Sequence, residues 1–294
     1  MSDLFDSPIA RQLTELNAKK KKLKTQSAPR PTRTRILTVS NQKGGVGKTT
    51  TVVNLAAALS QMQKTVLVID LDPQANATSG LGLQRQPGLS LYPVLTGAAD
   101  VADIIQATPY EGINIIPSEL DLAGAEIEIA RQENHLAVVR NVLDRVLTAG
   151  VFDYVLMDCP PSLGILMTSS LAAADGIVVT MQCEYYAMEG LSVITSLIDQ
   201  LCANGVNPDL QLEGILMTMF DGRTRLAADV VSEVRAHFGE KVYDTVIPRN
   251  VRISEAPSFG QPVLFYDPSS RGAEAYRAFA AEFARRTAPA VRMS

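Results

Sequence analysis

Lys43-Gly44-Gly45-Val46-Gly47-Lys48-Thr49-Thr50 decides how this chain folds. The apolar run Arg35-Ile36-Leu37-Thr38-Val39-Ser40 ahead of it reads as a buried strand, and Thr51-Val52-Val53-Asn54-Leu55-Ala56-Ala57-Ala58-Leu59 behind it reads as a helix. Strand, glycine loop, Lys-Thr and helix in that order make a phosphate cradle. Glycines let backbone N–H groups turn inward around phosphate oxygens with no Cβ in the way. Lys43, Gly44, Gly45, Val46, Gly47, Lys48, Thr49 and Thr50 are thus the candidate nucleotide-binding residues. Lys48 is placed to reach β- and γ-phosphates, and the Thr49 hydroxyl to hold Mg²⁺. The general pattern has a glycine five residues before Gly47, where this chain has Gln42, followed by a second lysine, Lys43. A cation at the loop's entrance suits a phosphate across a subunit interface; the plainer reading is a solvated surface lysine.

Downstream, strand and helix signals alternate. The strand candidates are 35–40, 65–70, 113–117, 154–158, 176–181, 212–218 and 241–246. Helical stretches include 120–147, 187–203 and 226–238. Val66-Leu67-Val68-Ile69 and Val155-Leu156-Met157 are continuous apolar runs, as expected of parallel strands buried on both faces. The expected fold class is α/β: a doubly wound, mostly parallel sheet with helices on both faces and ligands at the strands' carboxyl ends.

Carboxylates stand at those ends. Asp70 and Asp72 lie in Val68-Ile69-Asp70-Leu71-Asp72-Pro73-Gln74, and Asp158 ends Leu156-Met157-Asp158. A carboxylate closing a buried strand beside a phosphate loop is a usual Mg²⁺ holder, the role given to Asp158. Asp72 is placed to orient the attacking water. Thr49, Asp72 and Asp158 form the candidate metal set, and Lys43, Lys48 and Asp72 the candidate catalytic set. Each aspartate alone would also serve as a helix cap.

The 294 residues suffice for one large α/β domain or two small ones. Cys159, Cys183 and Cys202 form no CxxC pair, and with two histidines, His135 and His237, they offer little for a metal cluster or a disulfide framework. No run approaches the roughly 18 apolar residues of a membrane span, so a soluble intracellular protein is expected. Residues 1–35 hold nine Lys/Arg against three Asp/Glu, while the remainder holds 18 against 28. A basic arm on an acidic body implies that nucleic-acid contact would be made by local patches. The expected organisation is a flexible arm at 1–34, a phosphate-loop domain at 35–288 and a tail at 289–294. Within the arm, Phe5, Ile9, Leu13 and Leu16 share a helical face, and Lys19-Lys20-Lys21-Lys22-Leu23-Lys24 follows. Either a short docking helix or a disordered leader fits.

Asn41 to Thr50, Asp70-Leu71-Asp72-Pro73-Gln74-Ala75-Asn76 and Asp158-Cys159-Pro160-Pro161-Ser162 together resemble the ParA/MinD group of deviant Walker ATPases. Phe220-Asp221-Gly222-Arg223-Thr224, the run from Val246 through Pro248-Arg249-Asn250 to Gly260, and Tyr266-Asp267-Pro268-Ser269-Ser270-Arg271-Gly272 resemble its chromosomal ParA (Soj) branch. The resemblance spans about residues 34–287. It implies ATP and Mg²⁺ as cofactors and a nucleotide-sandwich homodimer into which Lys43 reaches as the signature lysine. It further implies slow hydrolysis needing Asp72, with Pro248 and Asn250 lining the adenine pocket. Non-specific double-stranded DNA is implied as a partner, with Arg223 and Arg252 at DNA-contacting positions and Arg225 and Arg271 placed to join them. A ParB-like centromere-binding protein that stimulates hydrolysis is implied as well, acting on the nucleoid in the bacterial cytoplasm. A MinD-like membrane role is the alternative. It is disfavoured because the stretch 273–286, with Tyr276, Phe279 and Phe283, looks packed on the domain, so no stable membrane association is expected. Positioning of a protein cargo is a further alternative.

Overall fold

A computed structural model describes residues 30–148, 151–184 and 187–288. The expected arm lies outside the described residues except for 30–34, and the tail 289–294 lies outside them entirely. Among the described residues, eight strands form one sheet in the order β3-β4-β2-β5-β1-β6-β7-β8. They are β1 (Arg35–Ser40), β2 (Val66–Asp70), β3 (Gln106–Ala107), β4 (Ile113–Ile116), β5 (Tyr154–Asp158), β6 (Gly176–Gln182), β7 (Gln211–Phe220) and β8 (Val242–Pro248). Every pairing is parallel except that of β3 with β4. The two-residue edge strand β3 was not foreseen; a stretch that short carries no alternation to read.

Alternation along each central strand divides the core in two. Ile36, Leu67, Ile69, Val155, Met157, Ile177 and Val179 face one cluster; Leu37, Val39, Val66, Val68, Tyr154, Leu156 and Val178 face the other. Burial on both faces is why these runs look uniformly apolar. On the first face lie α5 (Leu122–Ala130), α6 (Val138–Thr148), α7 (Ile165–Ala173), α8 (Ala187–Ala203) and α9 (Arg225–Phe238). They follow the shorter helices α2 (Asn76–Gly80), α3 (Leu91–Leu95) and α4 (Val101–Ile104). The opposite face is covered by α1 (Lys48–Gln61) and α12 (Arg271–Thr287), after the short α10 (Val251–Glu255) and α11 (Val263–Tyr266). Tyr276, Phe279 and Phe283 of α12 are fully buried there, as read from the sequence.

One expectation is corrected. The stretch 120–147 is not a single helix: α5 stops at Ala130, and α6 begins only after a turn and a 3₁₀ segment, His135–Ala137. Leu122, Ala125 and Ile129 on one side of the break and Val139, Val142 and Leu143 on the other all enter the same core cluster. The break is what lets both helices reach it.

Candidate nucleotide site

The connection from β1 to β2 runs to one side of β1, and that from β5 to β6 crosses to the other. The carboxyl edge of β1 is therefore a topological switch point, where an open α/β sheet leaves a crevice. The loop 41–47 fills that edge. Gly45 and Gly47 take φ of +73° and +86°, in the left-handed region that disfavours any side chain. A Cβ on Gly45 would meet nothing within 4 Å, so backbone conformation and not space calls for glycine there. α1 begins at Lys48 behind Gly47, which offers no side-chain cap, whereas Thr224, Asn250 and Ser270 cap α9, α10 and α12. An uncapped first turn leaves N–H donors free for an anion.

Neighbouring strands brace the loop. Thr218 of β7 donates to the Val46 carbonyl at 2.9 Å, and Gln182 of β6 donates to the Gly45 carbonyl at 2.8 Å. Asn41 donates to the Thr180 carbonyl at 2.8 Å. Lys48 is nearly buried, and its Nζ donates to the Lys43 carbonyl at 3.1 Å. Burial lowers the Lys48 pKa, while Asp158 and Asp72 pull against that shift. Lys43 points outward from the loop and pairs with Glu184 at 2.6 Å.

Register sets Asp70 directly beside Asp158 in adjacent strands. The two buried carboxylates are treated differently. Asp70 accepts from the Thr78 amide (2.8 Å), the Thr78 hydroxyl (2.7 Å) and the Asp72 amide (3.2 Å). Burial nevertheless pushes its carboxyl up to about 6. Asp158 is fully buried, and neither of its oxygens has a hydrogen-bond partner. Its pKa is raised well above the usual carboxylate range, by burial first and by Asp70 second. The Thr49 hydroxyl and Lys48 offset part of this. An unpartnered buried carboxylate is costly unless a cation joins it. Beside Thr49 and a phosphate loop, a hard divalent cation with oxygen ligands fits such a carboxylate. Asp72 accepts from the Gln74 amide at 2.9 Å and is itself buried. The loop it belongs to ends on Ala75 at φ +52°, a left-handed non-glycine residue of the kind that clusters at functional sites.

The remaining sequence candidates lie along the same rim. Pro248 ends β8 in register with Phe220 of β7. Asn250 has a structural duty: its Oδ1 accepts from the amides of Arg252 (2.9 Å) and Ile253 (3.4 Å) and caps α10. Arg223 and Arg225 open the β7–α9 connection, Arg252 lies in α10 and Arg271 starts α12. Arg223 forms a two-point contact with Asp221 at 2.8 and 2.6 Å, which holds the Asp221 carboxyl well below its usual range. Arg225 faces Asp229 at 3.6 Å, and Arg252 faces both Glu255 (2.9 Å) and Asp267 (3.2 Å). Arg271 is exposed. Sequence reasoning missed Thr218, near the end of β7, Gln182, which ends β6, and Glu184, two residues beyond it; their only signal was a polar residue at or near the end of an apolar strand.

A family model described as an AAA domain matches residues 34–212. The sporulation initiation inhibitor protein Soj of Bacillus subtilis (strain 168) is 49% identical over 251 residues, covering 85% of this chain and 98% of that protein. The chromosome partitioning protein ParA of Caulobacter vibrioides (strain NA1000 / CB15N) is 47% identical over 249 residues, covering 84% and 93%. Among solved structures, cobyrinic acid a,c-diamide synthase from Mycobacterium smegmatis with bound ADP and magnesium superposes with a TM-score of 0.72 at 37% identity, covering 84% of this chain and 92% of that one. The septum site-determining protein MinD from Pyrococcus horikoshii OT3, complexed with Mg-ADP, gives 0.67 at 27% identity, covering 85% and 94%. With the phosphate loop at the sheet's switch point, strand-end aspartates beside it and relatives matched over nearly their full length, this chain belongs to the ParA/Soj family of partitioning ATPases.

Proposed function

We propose that this chain is a Mg²⁺-dependent ATPase that partitions DNA, alternating between single subunits and an ATP-bound dimer that lies on DNA without sequence preference. The observation that carries the nucleotide half of this reading is the unpartnered Asp158 carboxylate beside Lys48 and Thr49. The partitioning half rests on relatives named Soj and ParA, which share more identity with the chain than the diamide synthase does. Mg²⁺, when bound, neutralises charge on the terminal phosphates. Thr49 and Asp158 would hold it with help from Asp72. Lys48 would draw the β- and γ-phosphates against the amides of residues 44–50, and Asp72 would orient the water. Pro248 and Asn250 would flank the adenine, with the Asn250 Nδ2 still free of the capping role. Lys43 would reach the partner's nucleotide and so make pairing depend on the γ-phosphate.

Arg223, Arg225, Arg252 and Arg271 would meet DNA phosphates. The carboxylate contacts that Arg223, Arg225 and Arg252 make now lie at the surface, where phosphates can displace them. Dimerisation would join two such patches and raise DNA affinity through avidity. Slow hydrolysis, stimulated by a ParB-like partner, would end the bound state on the nucleoid in the cytoplasm. A MinD-like membrane role gains no support from α12, whose apolar face is buried in the core. Among the described residues no helix is long and apolar enough to cross a membrane.

The test is duplex DNA binding at fixed salt with ATP, with ADP and without nucleotide, in the native chain, Asp72→Ala and Arg252→Ala. Binding that requires ATP, persists in Asp72→Ala and fails in Arg252→Ala is the expected result. Binding indifferent to nucleotide would overturn the reading.

A further inference from the structure

We propose that Glu184 is a positioning residue for Lys43. In the single subunit it holds the loop's entrance lysine, and this grip must open before Lys43 can reach a partner's nucleotide. The inference rests on the reading of Lys43 as a cross-subunit phosphate contact. Lys43 Nζ lies 2.6 Å from Glu184 Oε2, with the two side chains 51% and 49% exposed. The Lys43 backbone is fixed independently: its amide donates to Asn41 Oδ1 at 3.0 Å, and its carbonyl accepts from Lys48. Asn41 is tied in turn to the Thr180 carbonyl of β6. Only the long side chain is free to swing, and Glu184 is the acceptor recorded for its ammonium group. The end of β6 thus acts on the loop twice. Gln182 braces it through the Gly45 carbonyl, and two residues later Glu184 takes its outward cation.

A carboxylate is a modest rival to a triphosphate, which carries more charge and more acceptor oxygens. The grip therefore yields when a partner's nucleotide arrives, and does not yield to a partner with an empty or diphosphate-filled site. An exposed pair of this kind biases an equilibrium by about 1.4- to 5-fold. A two-fold symmetric dimer opens two of them, so the factors multiply to about 2- to 30-fold. In effect, Glu184 sets the concentration at which subunits pair and suppresses pairing before ATP is loaded.

The experiment uses the full chain with a non-hydrolysable ATP analogue and Mg²⁺. Sedimentation gives the dimerisation midpoint of the native chain, Glu184→Gln and Glu184→Asp. Modification of Lys43 by an amine-directed reagent, followed by mass spectrometry without nucleotide, reports the grip itself; Lys241, bonded to the Leu212 carbonyl, is the internal reference. Glu184→Gln is expected to pair at a several-fold lower concentration and to label several-fold faster at Lys43 alone, with Glu184→Asp returning both toward native values. A merely structural glutamate would give weaker pairing and no lysine-specific change. If the native chain pairs while Glu184→Gln pairs at the same or higher concentration, the grip is overturned and the functional reading stands. If the native chain does not pair with the analogue, both are overturned.

Discussion

Asp158 concentrates the energetic conflict of the site in one side chain. Its folded-state pKa is raised, so the folded chain holds the proton more tightly than the unfolded chain does. That contribution to stability is fully present below the ordinary carboxylate pKa and is lost as pH rises through the folded value. Asp70, pushed up to about 6, adds to the same trend. Asp158→Asn removes the charge that burial penalises. In melting curves between pH 4 and 8 without Mg²⁺, the variant should gain on the native chain as pH rises. Each kcal/mol is worth about 2–4 °C in a domain near this size. Mg²⁺ with an ATP analogue should reverse the order, stabilising the native chain and leaving the variant nearly unchanged. A variant that lagged behind the native chain throughout without ligand would mean that Asp158 has a partner.

At the scale of elements, the loop's shape depends on strands that follow it by more than a hundred residues. The Val46 carbonyl is buried and accepts from Thr218. Thr218→Val keeps the volume but leaves that carbonyl unpaired, an expected loss of about 1–3 kcal/mol. Titration with a fluorescent ATP analogue should show weaker binding at unchanged secondary structure. α12 makes a different kind of contribution. Phe279 packs edge-on against Tyr243 at 4.9 Å, and Glu282 accepts from the amides of Asp244 (2.8 Å) and Thr245 (3.0 Å). Phe279→Ala should cost about 3–5 kcal/mol in denaturant unfolding. The Asn41–Thr50 segment was legible because phosphate chemistry demands glycines and Lys-Thr in sequence. The break in 120–147 was not: Arg131-Gln132-Glu133-Asn134 has neither proline nor glycine, and the helical pattern resumes beyond it.

For the whole molecule, the arginines and the phosphate loop share one rim because parallel strands present all their carboxyl ends together. The helices α9 and α10 begin at that rim, and α12 starts there on its way back along the sheet. A dimer formed across this rim would carry two copies of each arginine. Arg252→Ala should then lower the slope of log affinity against log salt by about 2 for duplex DNA, close to one released counterion per subunit. A slope identical to the native one would remove Arg252 from the DNA surface. Residues 30–35 leave from the opposite end of the sheet, where Arg30, Arg33 and Arg35 pair with Asp153, Asp175 and Glu213.

Sequence alone determined the class of the fold and supplied a candidate centre for the site. Uninterrupted apolar strands can be buried only between two helical layers, and a glycine loop ending in Lys-Thr before a helix has one common use. It also offered Asp158, which closes β5, and Asp72, two residues past the end of β2, as candidates, since carboxylates at the end of a buried strand stand out from their surroundings. Tertiary structure alone decided which groups meet. Asp70 lies beside Asp158, Thr218 on Val46 and Glu184 on Lys43 because the strand order β2-β5-β1-β6-β7 joins segments up to 172 residues apart. Local sequence carries no record of that adjacency, because strand order is set by how whole helices and strands pack.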